Sequence, residues 1–153
     1  MEWTQDLSVG VKQIDDQHKE LISRMNSFFD VMKSGNKEQE ILKMLDFLSD
    51  YVVTHFRDEE KLQLSCNYPK YQEHRLLHKE FIDDVTKMRT DLEKNGFTVA
   101  TGSLISSTLI AWLTLHIRKA DKDVGMYIRS KQEAREDIQY GIDTGFKSGD
   151  WHD

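Results

Sequence analysis

The stretch YVVTHFRDEEKL (residues 51–62) closes an apolar stripe in which Ile41, Leu45, Leu48 and Val52 recur at steps of three or four. That recurrence is the face of an amphipathic helix. Continuing the step lands on His55, then Glu59, then Leu62. A core-facing stripe should not carry an imidazole and a carboxylate one turn apart. A buried carboxylate without a partner either costs several kcal/mol or takes up a proton, so a partner is expected there.

The same test on the rest of the chain gives the same anomaly. His18 leads Leu21, Ile22, Met25, Phe28, Phe29 and Met32. His74 and His78 head a stripe that continues through Phe81, Val85, Met88 and Leu92, and His116 ends one made of Ile105, Leu109 and Trp112. Four helices are therefore expected: about Lys12 to Lys33, a second after an N-cap at Asn36 (with Gln39 three residues on) to about Ser65, a third beyond Pro69 to about Lys94, and a fourth capped between Thr101 and Ser103 and reaching at least Ile117. Breaks fall at SGN (34–36), NYP (67–69) and NG (95–96). No strand-like alternation is sustained anywhere. Short connections make consecutive helices antiparallel neighbours. The expected fold is all-α, an up-down-up-down four-helix bundle (1–128) with an N-terminal arm. A polar C-terminal extension (129–153) of unassigned role follows, read as a short helix and a loose tail.

Composition narrows the function classes. The 153 residues suit one domain with a real core. A formal charge of −6 with no dense Lys/Arg run argues against nucleic acid and anionic membrane surfaces. The N-terminus MEWTQDLSVG lacks a signal-peptide layout. The run LISSTLIAWLTLHI (104–117) reads as too short and hydroxyl-rich to span a bilayer. Cys66 is the only cysteine, so no intrachain disulfide can form. A cytoplasmic, non-enzymatic protein is the expectation.

Five of the six histidines thus fall on inward faces, spread over four helices; His152 lies in the tail. Residues four apart are offset by about 40° and one turn, so His55/Glu59 and His74/His78 can each converge on one point. Taken singly, His18 or His116 is an ordinary hydrogen-bonded core histidine, and an HxxxH pair is common on solvated faces. Together, five histidines and a carboxylate in an apolar core need either many separate partners or one metal cluster. A further oxygen ligand is available in Asp121, five residues after His116 in HIRKAD. An unbroken helix would turn it about 140° away, so the helix must end, tighten or bulge between them. On spacing alone Asp121 could equally be a surface acid, although the helix dipole disfavours an unpaired acid at that end. Imidazole and carboxylate suit iron and also zinc.

The fragments LSVGVKQIDDQHKEL (7–21), HFRDEE (55–60), YPKYQEHRLLH (68–78) and WLTLHIRKAD (112–121) together resemble the hemerythrins, most closely the bacterial single-domain members, over about Trp3 to Val124. The resemblance implies a centre of two iron ions with an oxo or hydroxo bridge. His74, His78 and His116 would serve one iron, His18 and His55 the other, and Glu59 and Asp121 both. It implies reversible O2 binding at the open position of the second iron, for transport, storage or delivery. Leu21, Phe56, Trp112 and Ile117 match the pocket-lining positions. Gln63 stands where the family usually has methionine, and a polar side chain there would admit water or hydrogen-bond a ligand. Asn67 replaces a turn glycine and tolerates a left-handed backbone. Competing readings are an O2 or redox sensor acting through a protein partner, NO or peroxide detoxification at the same site, and iron storage or zinc binding.

Overall fold

A computed structural model describes residues 1–35 and 37–143. The described residues contain helices and no strand: α1 (Lys12–Lys33), α2 (Glu38–Ser65), α3 (Tyr71–Asn95), α4 (Val99–His116) and α5 (Lys122–Asp143). A 3-10 turn at Gln5–Leu7 precedes them, and a π-helical turn at Ile117–Asp121 joins α4 to α5. The chain is an all-α four-helix bundle, with α5 prolonging the fourth helix. Apolar side chains from each helix, including Phe28, Leu45, Leu92 and Leu109, make one continuous core.

Most boundaries follow the apolar periodicity, and the differences are local. Helix α4 begins at Val99, earlier than the expected Thr101–Ser103, because Thr98 supplies the cap: its Oγ1 accepts the Thr101 N–H at 3.1 Å. Helix α2 follows Lys37, which makes no side-chain cap; the expected cap Asn36 lies outside the described residues. The extension does not separate into a short helix after residue 128. Instead α5 continues through to Asp143, and its surface from Arg129 to Tyr140 is exposed. Residues 144–153, the expected tail, lie outside the described set.

The fourth helix is also longer and more apolar than its sequence run suggested. Val99–Gly141 is long and apolar enough to cross a membrane by length and composition alone. Ile105, Leu109, Leu113 and Ile117 on it are buried in the bundle core.

Side chains arrange in layers that fix helix direction. Leu21 lies three residues after His18 and Phe81 three after His78, whereas Val52 and Leu113 lie three before His55 and His116. All four nonetheless line the same cavity, as do Met25, Leu48, Val85 and Leu109 one step further. Only alternating helix directions can bring after and before to one level. The histidines therefore form a layer directly above an apolar layer.

The N-terminal arm locks the opposite end. Leu7 and Val9 are buried, and the Val9 N–H donates to Asp15 Oδ1 at 2.8 Å. Gly125 of α5 leaves room for this crossing, since a Cβ there would stand 2.1 Å from the Val9 carbonyl oxygen. At the α2–α3 corner Asn67 adopts φ 55°, and its carbonyl accepts the Tyr127 hydroxyl at 3.2 Å.

Candidate metal centre

Every predicted ligand is in the core: His18, His55, Glu59, His74, His78, His116 and Asp121 are all almost fully buried. Helices α1 and α2 bring His18, His55 and Glu59, α3 brings both its histidines, and α4 brings His116. Asp121 arrives through the π-turn. One wide turn absorbs the extra residue of the HxxxxD spacing and returns the carboxylate to the inward face, the irregularity its spacing demanded.

The ligand atoms fall into two groups. Glu59, His74, His78, His116 and Asp121 each offer an atom to one; His18, His55, Glu59 and Asp121 offer atoms to the other. Within the first, His74 Nε2 and His78 Nε2 each lie 3.1 Å from His116 Nε2, and His116 Nε2 lies 3.1 Å from Asp121 Oδ1. Metal–nitrogen bonds of about 2.1 Å at right angles put neighbouring ligands about 3.0 Å apart, so this spacing is that of atoms around a cation. Asp121 reaches the other side as well, its Oδ2 2.9 Å from His18 Nε2. Glu59 does likewise, with Oε1 3.3 Å from His74 Nε2 and Oε2 3.4 Å from His55 Nε2.

Protein hydrogen bonds do not satisfy this cluster. Both carboxylate oxygens of Glu59 and of Asp121, and both ring nitrogens of His18, lack a well-aligned partner. Buried polar groups are otherwise paired almost without exception. A cation positioned among them supplies the missing interaction, and the donor set of imidazole nitrogen and carboxylate oxygen fits iron.

The electrostatics agree. Burial, reinforced by His18, pushes His55 down to about 3; burial and then His116 push His78 down to about 2. Both rings are therefore neutral and carry a lone pair for a metal. Burial raises Glu59 well above the usual carboxylate range, with the Asp121 charge adding to it. Burial opposes ionisation of Asp121 too, but the imidazoles crowded around it, His116 first and then His18 and His74, outweigh it and hold that carboxyl low. Without a cation Glu59 is the carboxyl that holds a proton more readily, and a cation would compete with that proton.

Two orienting residues escaped the sequence reading. The His55 Nδ1–H donates to Gln17 Oε1 at 2.7 Å, and the Gln17 amide donates to Asp58 Oδ2 at 2.9 Å. The His78 Nδ1–H donates to Glu60 Oε1 at 3.1 Å. Each bond fixes the tautomer that aims Nε2 into the centre. Both residues adjoin a ligand in sequence, yet they read as exposed polar positions off the apolar stripes.

Of the residues expected to line a ligand pocket, Phe56 stacks on His78 with centroids 3.8 Å apart, and Trp112 stacks on His116 at 4.4 Å. They therefore wall the three-histidine group. Leu21 lines the apolar cavity of about 180 Å³ beneath the histidines, and Ile117 is fully buried beside His116. Gln63 is fully buried one turn beyond Glu59.

Residues 9–128 match the model of the hemerythrin HHE cation-binding domain. The chain is 34% identical over 129 residues to a bacteriohemerythrin of Methylococcus capsulatus, covering 82% of this chain and 94% of that protein. It is 30% identical over 119 residues to the bacteriohemerythrin of Pseudomonas aeruginosa, covering 78% and 75%. A wild-type hemerythrin crystal structure superposes with a TM-score of 0.75 at 30% identity, over 84% of this chain and 97% of that one. Ligand cluster, fold and relatives agree: this chain belongs to the hemerythrin family.

Proposed function

We propose that the chain holds two iron ions in this centre and binds O2 reversibly beside the His18/His55 group. The observation that carries the reading is the unequal split of ligands around two shared carboxylates. Five side chains surround one position and four surround the other. The poorer side is the one with room for an exogenous ligand. Iron bound there supplies the redox chemistry through which O2 is taken up and given back.

The chain's own residues favour uptake over turnover. The neutral imidazoles add no negative charge, so the ligand set favours the reduced metal more than a carboxylate-rich one would. Phe56, Trp112 and Phe81 form a stacked aromatic wall, with Phe81 and Trp112 3.9 Å apart, that keeps water from the histidine layer. The cavity walled by Leu21, Val52, Phe81 and Leu113 is large enough for a small apolar molecule, and its inner wall is apolar. Its rim carries Asp46 and Arg89, paired at 2.6 and 3.0 Å. These features suit a carrier, store or delivery protein rather than an enzyme. Optical spectra of the iron-loaded protein test this: a visible band that appears with O2 and vanishes under argon, over repeated cycles, is expected. Irreversible conversion on first contact with O2 would reject reversible binding.

One observation favours a second reading as a sensor. Asp121 ends the π-turn, and the helix runs on without interruption into the exposed surface of α5. A shift of this ligand is thus tied to a surface on which a protein partner can dock. A change in α5 hydrogen exchange between reduced and oxidised protein would support it, and identical exchange would remove it.

A further inference from the structure

The apolar cavity lies on one side of the histidine layer, and Gln63 lies on the other. It is wholly buried one helical turn beyond Glu59. Neither Oε1 nor Nε2 of its amide has a well-aligned hydrogen-bond partner. Its backbone is fully employed, since the Gln63 carbonyl accepts the Tyr68 N–H at 2.9 Å. Only the side chain is left over. An unpaired buried amide carries a desolvation penalty that native structures avoid, so it marks a missing partner.

The surroundings say what that partner is. Gln63 also lines a surface depression of about 310 Å³ at the α2–α3 corner, walled in addition by Asn67, Tyr68, Tyr71 and Gln72. Gln63 therefore lies between Glu59 and a solvent-facing hollow whose wall mixes Leu64 and Pro69 with the polar groups of Asn67, Tyr71 and Gln72. Buried waters occur where a site is roomy and offers two to four polar partners. A water here can accept from Gln63 Nε2, donate to Glu59, and donate outward into the depression.

We propose that Gln63 holds an ordered water between Glu59 and the α2–α3 corner, and that this is the path by which solvent reaches the metal centre. The centre then has a dry face at Leu21 and Leu113 and a wet face at Gln63, so gas and water approach from opposite sides. The consequence for the metal rests on the proposed iron centre; the water itself does not.

The test combines two readouts on the full chain. High-resolution crystal structures of the wild type and Gln63→Met, which keeps volume and drops the amide, show whether the water is present. Metal loss to a chelator at mildly acidic pH shows whether it conducts solvent. The expected result is a water bonded to Gln63 in the wild type, none in Gln63→Met, and metal loss slowed several-fold in the variant. Glu80→Ala, exposed on α3 and outside the lining of the depression, should change neither. Should Gln63→Met fail to fold, Gln63→Leu replaces it. A wild-type amide bonded straight to Glu59 with no water overturns the proposal, as does metal loss unchanged in the variant. A protein that takes up no metal contradicts the proposed function instead, and the water is still scored in the metal-free crystal.

Discussion

His55 shows how much a single side chain depends on its neighbours. Its Nε2 faces the centre because its Nδ1–H is held by Gln17, and Gln17 is held by Asp58. Gln17→Leu should leave the fold intact while metal affinity falls about 10- to 100-fold, the usual range for a lost orienting partner. Competition against a chelator of known affinity measures it, and unchanged affinity would show that packing alone orients the ring. Six of the seven candidate ligands were legible because each puts a polar group on an apolar stripe, a conflict visible in one dimension; Asp121, off the stripe of a regular helix, was singled out by the resemblance. Gln17 and Glu60 were not legible, because a polar residue on a solvent-side position conflicts with nothing. Only the fold shows that these positions look back at a ligand.

At the scale of elements, the π-turn converts a spacing of five into the inward-facing geometry of four. Deleting the exposed Lys119 should remove the bulge and leave His116 and Asp121 one regular turn apart, so metal content survives. Deleting Arg118 as well should swing Asp121 about 100° away and abolish binding without loss of helix. Metal analysis beside circular dichroism distinguishes the two. Where the arm crosses α5, Gly125→Ala drives a methyl into the Val9 carbonyl and should destabilise the protein by about 1–3 kcal/mol in urea unfolding, the usual cost of overpacking. An unchanged midpoint would mean that the arm moves away freely. The need for an irregularity after His116 was legible from the angle per residue. Its form was not, because an ended, tightened or bulged helix each answers the same angular mismatch, and the sequence does not rank them. The start of α4 was misplaced because three hydroxyl residues compete to cap it, and the sequence does not rank Thr98 above Thr101 and Ser103.

For the whole molecule, stability and metal are linked through the titrating core. In the metal-free protein His55 and His78 stay neutral down to about 3 and about 2, whereas in the unfolded chain histidine protonates near 6.5. Over that window the unfolded chain binds more protons, so stability must fall as pH drops from about 6.5. Glu59 acts in the opposite sense: its raised carboxyl contributes stability at low pH that is lost as pH rises through its folded value. The metal-free protein should therefore be most stable at an intermediate pH. Bound metal should raise the melting temperature more as pH rises, because fewer protons compete with it for Glu59 and the imidazoles. Urea midpoints from pH 4 to 8, with and without chelator, check this; a pH-independent difference between the two forms would contradict it. The central claim is that two cations share Glu59 and Asp121. Anomalous scattering at the iron edge from a crystal of the iron-loaded protein tests it most directly. Two peaks are predicted, one bonded by His74, His78 and His116 and the other by His18 and His55, both touching the two carboxylates. A single peak, or scattering at the zinc edge alone, would contradict it.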